Sequence, residues 1–166
     1  MTMEPRLIVT CRAGNEELCI HEVCNVLFSK DPDVKAEKSR YSGLIYVYTS
    51  IDVDKAYRIA SFREYGFVEN IIPVHCVLEY PLDPSVVEAC LTSIVKTRLV
   101  KLKVKSRGVR GASSGLFALF SRLLLKSGVK HDSTAKTCLF VELLDSKVYV
   151  GLGDCHPVFK ASLMYG

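Results

Sequence analysis

The chain has 166 residues, of which 49% are hydrophobic and 24% charged, and its net charge is +4. That composition supports a packed core of one ordinary domain or two small ones. No apolar run approaches the roughly 18 residues that span a bilayer, and no secretory h-region follows residues 1–6, so a cytoplasmic address is expected.

The charge is polarised along the chain. No acid stands between Glu88 and Asp132, while ten basic residues do: Lys96, Arg98, Lys101, Lys103, Lys105, Arg107, Arg110, Arg122, Lys126 and Lys130. The other residues hold 12 basic against 18 acidic side chains. A field of one sign over so long a stretch points to a polyanion, most commonly nucleic acid. A solvated basic face kept for solubility is the alternative.

In chain order, residues 6–11 form a short β-type run closed by Ala13-Gly14. Asn15 then stands as a helix N-cap, with Glu16 and Glu17 in the first turn where the dipole favours acids. Cys19, Val23, Val26 and Leu27 follow at helical spacing, carrying the helix to about Phe28. Asp31-Pro32-Asp33 is a turn, and residues 34–37 and 44–49 give two strands. Asp52 caps a second helix with Val53, Ala56, Ile59 and Ala60 inward. Residues 70–80 give one last strand, at a sheet edge because Pro73 cannot donate to a ladder. This order, β-α-β-β-α-β over residues 6–80, is the ferredoxin-like pattern.

Pro81 to Pro84 mark a boundary, dividing the chain into 1–80 and 81–166. Asp83 caps the next helix and Pro84 takes its first position. Val86, Val87, Cys90, Leu91, Ile94 and Val95 form its apolar stripe. A strand follows over residues 98–105. A further helix, capped by Ser113 or Ser114, buries Leu116, Leu119, Phe120, Leu123 and Leu124. Residues 138–144 and 147–152 close the chain as a hairpin around Asp145-Ser146. The fold class is α+β.

The strand over residues 98–105 alternates, so Val100, Leu102 and Val104 face one way and Lys101, Lys103 and Lys105 the other. Like-facing residues stand roughly 6.5–7 Å apart, close to the spacing of phosphates on one nucleic-acid strand. An edge strand guarded by lysines against aggregation has the same pattern. The loop from Ser106 to Ser114 adds Arg107, Arg110, Ser113, Ser114 and free N–H groups at a helix start, which together make an anion site. Arg122 and Lys126, four apart, share one helix face; they extend that surface or form an ordinary solvated face. Lys130 completes the candidate set.

Catalytic constellations are lacking. There is no phosphate-binding Gly-x-x-x-x-Gly-Lys-Ser/Thr, no Gly-x-Gly-x-x-Gly after a strand and no Gly-x-Ser-x-Gly. The seven cysteines are odd in number and contain no Cys-x-x-Cys, so they are expected to be reduced, buried hydrophobes, with no metal and no cofactor. A small acylphosphatase-like hydrolase is the enzyme alternative, hinted at by Arg12 and Gly14 and opposed by Glu16 and Glu17. A basic module for an acidic protein is a third reading.

The basic strand, Arg107, Arg110, Ser113-Ser114 and the closing Val141-Glu142 and Val148-Tyr149-Val150 resemble a THUMP domain. Upstream, residues 39–45 (Ser-Arg-Tyr-Ser-Gly-Leu-Ile) and 71–74 (Ile-Ile-Pro-Val) resemble the ferredoxin-like half that precedes it. The resemblance covers about residues 6–152 and is closest to the stand-alone tRNA-acetylation adaptor family. One departure is Lys130-His131-Asp132-Ser133-Thr134, where the family often carries an acidic-Leu-x-x-Pro-Asp-like stretch. The resemblance implies tRNA binding at the acceptor stem and 3′ end, with Lys101, Lys103 and Lys105 tracking the backbone and Arg107, Arg110, Ser113 and Ser114 holding phosphates. It also implies a separate RNA-modifying enzyme as partner, an RNA cytidine acetyltransferase. The chain ends at Gly166, too soon for a methyltransferase, sulfurtransferase or deaminase domain, so a non-catalytic binder is expected.

Overall fold

A computed structural model describes residues 3–160. In order they form β1 (Leu7–Cys11), α1 (Glu16–Phe28), β2 (Lys35–Lys38), β3 (Leu44–Tyr48), α2 (Val53–Ala60), β4 (Arg63–Tyr65), β5 (Val68–Pro73) and β6 (Cys76–Glu79). Then follow α3 (Pro84–Ile94), β7 (Leu99–Arg107), α4 (Ala112–Lys126), β8 (Lys130–His131), β9 (Thr137–Leu144), β10 (Lys147–Asp154) and β11 (Val158–Lys160). The fold is α+β. Two compact units emerge: one runs to Val74 and regains the chain from His156, and the other is His75–Cys155.

The first unit has an antiparallel sheet of order β2-β3-β1-β5. The expected β-α-β-β-α-β order is present, with β4 inserted before the last main strand. β5 lies at the sheet edge, as the donor-less Pro73 requires. Inward residues of α1 (Cys19, Val23, Leu27) and α2 (Ala56, Ala60) pack on Leu7, Val9, Ile45, Val47 and Ile71. Asp52 caps α2 through its carboxylate, which accepts from Lys55 N–H at 3.0 Å. Asn15 precedes α1 without a side-chain cap bond. Gly43 is required where it stands: its φ is +75°, and a Cβ would lie 2.9 Å from the Cys11 carbonyl oxygen.

The predicted single strand over residues 70–80 is two strands in two sheets. Pro73 ends β5; Val74 N–H donates to Arg6 O at 2.9 Å in one unit, while His75 N–H donates to Val150 O at 2.8 Å in the other. The expected boundary at 80/81 therefore differs from the observed one at 74/75, because β6 is an integral strand of the second sheet. Residues 156–160 likewise sit with the first unit, where β11 pairs in parallel with β4.

The second sheet has order β6-β10-β9-β7-β8. One face carries Leu78, Val100, Leu102, Leu139, Val141, Leu143, Val148 and Val150, packed with α3 (Val87, Cys90, Leu91) and α4 (Leu116, Phe120, Leu123, Leu124). Asp83 caps α3, accepting from Ser85 N–H at 3.0 Å with Pro84 at the helix start. The β9–β10 hairpin turns at Asp145-Ser146 in the expected register, Leu144 opposite Lys147.

The cysteines differ from expectation. Cys11 pairs with Cys19, Cys76 with Cys90 and Cys138 with Cys155, at Cα separations of 6.1, 6.3 and 5.0 Å. Sequence spacing did not announce these pairs, because each joins residues of different elements brought side by side by packing. Cys24 stays free, and burial pushes its thiol pKa up.

Candidate nucleic-acid interface

The site is built on β7. On one side β9 pairs with it in parallel along Lys101–Arg107, and on the other β8 reaches only Leu99 and Val100. Leu102 N–H donates instead to His131 Nδ1 at 2.9 Å, and the His131 ring meets Phe117 of α4 edge-on at 5.3 Å. The predicted alternation holds. Val100 and Leu102 are buried against the helices, with Val104 packed beside them. Lys101, Lys103 and Lys105 share the opposite face.

Among the described residues these three lysines make no ion pair. Their β9 partners are Cys138, Phe140 and Glu142. Lys101 and Lys103 are half-buried and Lys105 is exposed. The Lys103 ammonium is held below its ordinary pKa, first by desolvation and then by the charges of Lys101 and Lys105. The row therefore repels itself, and an anion laid along it would relieve that repulsion.

Arg107 continues the row but not as expected. Its guanidinium lies 3.6 Å from Glu142 Oε2, close enough for an ion pair and too long for a hydrogen bond. Glu142 is only 3% exposed. Burial raises its carboxyl pKa, while Arg107 and Lys105 pull it down. Arg107 is thus engaged on the sheet face rather than gathered with Arg110 at the helix start. The signal for Glu142 was available: it is the single acid in the apolar run of residues 138–144, and a buried charge needs a partner.

Arg110 is exposed in the loop before α4. The N-cap of α4 is Gly111, at φ +73° and with no side-chain cap bond, rather than Ser113 or Ser114. Both serines lie inside the first turn, since the left-handed residue that opens the helix must be glycine. No acid occupies this turn, in contrast to Glu16 and Glu17 of α1 and Asp54 of α2. A Cβ on Gly111 or Gly115 would meet nothing within 4 Å. Beside them a cavity of about 300 Å³ is lined by Tyr80, Pro81, Leu82 and Leu116. At α1, by contrast, the Glu16 carboxylate fills the helix start itself, accepting from Gly43 N–H at 2.8 Å, a bond that lowers its pKa.

The remaining candidates lie elsewhere. Arg122 and Lys126 are exposed on α4, which packs on the sheet face opposite the lysine row. Lys126 bridges to Glu88 of α3 at 3.2 Å. Lys130 is on β8, at the end of β7 remote from Arg107. The ten predicted side chains therefore form four groups: the sheet row, the α4 start, the exposed face of α4 and Lys130 at the far end. Among the described residues no three His, Cys, Asp or Glu side chains converge on a metal position, and no helix is long and apolar enough to cross a membrane.

No family model matches the sequence, and no curated protein matches it. Solved structures do. PH1313 from Pyrococcus horikoshii Ot3 superposes with a TM-score of 0.64 at 15% identity, over 94% of this chain and 56% of that one. The fold is of the THUMP type. TrmN from Thermus thermophilus matches at 0.62 and 14% identity, over 88% of this chain and 44% of that one. A possible methylase from Clostridium difficile 630 matches at 0.60 and 14% identity, over 90% and 41%. The chain spans about half the length of the solved proteins it matches.

Proposed function

We propose that the chain binds tRNA, at the acceptor stem and 3′ end, and presents it to a separate RNA-modifying enzyme, a cytidine acetyltransferase, without catalysing a reaction itself. The observation that carries the binding is the row of Lys101, Lys103 and Lys105. They make no ion pair among the described residues, and the Lys103 pKa is lowered first by desolvation and then by the charges of Lys101 and Lys105. The uncapped, acid-free start of α4 with Arg110 supplies a second phosphate contact beyond the end of the row. The hydrolase alternative loses support because Glu16 already occupies the first helix start. A cytoplasmic address goes with this reading, and there the three cysteine pairs would face thiol reductants.

The test is a filter-binding titration of the full chain with tRNA and with duplex DNA of equal length, at several salt concentrations. Salt-dependent binding that favours tRNA is expected. Failure to bind tRNA at low salt removes the proposal. Co-purification with or without an acetyltransferase polypeptide then decides the adaptor role.

A further inference from the structure

The acid-free interval also walls a cleft that the lysine row does not use. A cavity of about 530 Å³ opens between the C-terminal ends of α3 and α4, and no carboxylate lines it. Leu91, Leu124 and Val129 in its wall are buried, whereas Lys96 and Arg98 are exposed. Apolar walls thus meet two cations on the solvent side. Neither cation belonged to the set predicted from sequence.

Helix C-termini ordinarily present free carbonyls and a negative dipole end, which would disfavour an anion. Here the carbonyls of Leu91, Thr92 and Leu124 are taken. Leu91 O accepts from Val95 N–H at 2.9 Å, Leu124 O from Ser127 and Val129 N–H at 3.0 and 2.9 Å, and Thr92 O from Lys96 Nζ at 3.0 Å. The Arg98 guanidinium has no partner among the described residues, so it sets the sign of the field at the opening. The volume falls in the roughly 300–1,000 Å³ range of small-ligand sites. A bare phosphate would leave the apolar walls uncovered, and an apolar ligand would leave Arg98 unused. A planar apolar body carrying one phosphate satisfies both.

We propose that this cleft binds a single nucleotide unit, its base against Leu91, Leu124 and Val129 and its phosphate on Arg98 and Lys96. The unit comes either from a free nucleotide or from an unpaired nucleotide of an RNA. The cleft lies in the helix layer, on the opposite side of the sheet from the lysine row, so it stands or falls separately from the tRNA-binding reading.

The experiment is ¹⁵N-resolved NMR of the full chain titrated with AMP and CMP, with adenosine and inorganic phosphate as partial ligands. A single-stranded tetranucleotide and a blunt RNA duplex complete the set. Saturable shifts at amides 91–98 and 124–129 are expected with the nucleotides. Adenosine or phosphate alone should bind at least about tenfold more weakly, and Arg98→Ala should cost about tenfold in nucleotide affinity, the order of one charge-assisted hydrogen bond. Shifts with AMP or CMP identify the free nucleotide as a ligand; shifts with the tetranucleotide only identify RNA as the source. The proposal is overturned by an absence of saturable shifts at those amides with every nucleotide ligand. It is equally overturned if phosphate alone binds as tightly as AMP, or if folded Arg98→Ala binds as wild type. Loss of duplex binding at Lys101–Arg107 with retention of shifts at the cleft would sink only the tRNA-binding reading.

Discussion

Replacing Lys101 and Lys103 together by glutamine tests the sheet row most directly. These two are better targets than Lys105, because Lys105 stands opposite Glu142 across the β7–β9 ladder. A change at Lys105 would disturb that buried acid and confuse a binding loss with a folding defect. Lys101 and Lys103 face Cys138 and Phe140, so glutamine at both removes the charge while keeping a polar side chain only one atom shorter. If each lysine neutralises one phosphate, the slope of log affinity against log salt should flatten by about 1.4–1.8. Over a fourfold rise in salt, that makes the variant's affinity fall by roughly tenfold less than the wild type's. The assay is a tRNA titration at about 50 and 200 mM salt, the range over which such contacts are lost, with melting curves to confirm folding. An unchanged slope in a folded variant would take the row out of the binding surface.

Three further outcomes are expected. Arg107→Gln should destabilise the second unit by about 3 kcal/mol near neutral pH, the low end for breaking a buried pair because Arg107 remains a quarter exposed. Burial raises the folded-state pKa of Glu142, so its ionised form opposes folding, and the cost should shrink as pH falls through that raised value and Glu142 protonates. A cost independent of pH in denaturant titrations would contradict this assignment. Arg110→Ala should weaken tRNA binding more than Arg122→Ala, by about 1.5–3 kcal/mol against about 0–1 kcal/mol, since Arg110 adjoins the open N–H groups of α4 and Arg122 has water around it. Equal losses in parallel titrations would mean a diffuse electrostatic surface. Gly43→Ala should destabilise the first unit by at least about 1 kcal/mol, through the positive φ and the Cys11 carbonyl at 2.9 Å, and a melting temperature equal to wild type would refute it.

Local rules carried much of the fold. Helix caps at Asp52 and Asp83, the apolar stripes of α3 and α4, the β9–β10 turn and the lysine alternation of β7 depend on neighbours within a few residues, and the structure has them as expected. Three kinds of feature escaped. The apparent strand over residues 70–80 continues in β-propensity across a change of sheet, and only the hydrogen bonds of Val74 and His75 reveal the break. The cysteine pairs and the Arg107–Glu142 contact are tertiary, joining residues whose sequence separations carry no signal. The short strands β4, β8 and β11 are made by their partners rather than by their own composition. For the site, sequence located the charge but not its division between two faces of one sheet, which depends on which side α4 covers.

The return of β11 to β4 makes the second unit an insertion within the first. The backbone passes between the units at 74/75 and again at 155/156. Both junctions lie at the same end of neighbouring antiparallel strands, since Cys76 pairs with Val150 of β10, which runs on to Asp154. Excision at residue 81 would strip β6 from the sheet, whereas a fragment of 75–155 keeps every strand of that sheet and leaves its two new ends at the same end of neighbouring strands. Such a fragment could be closed into a ring by a short peptide and reopened at an exposed turn such as Asp145-Ser146, yielding a circular permutant that retains β7 and α4 intact.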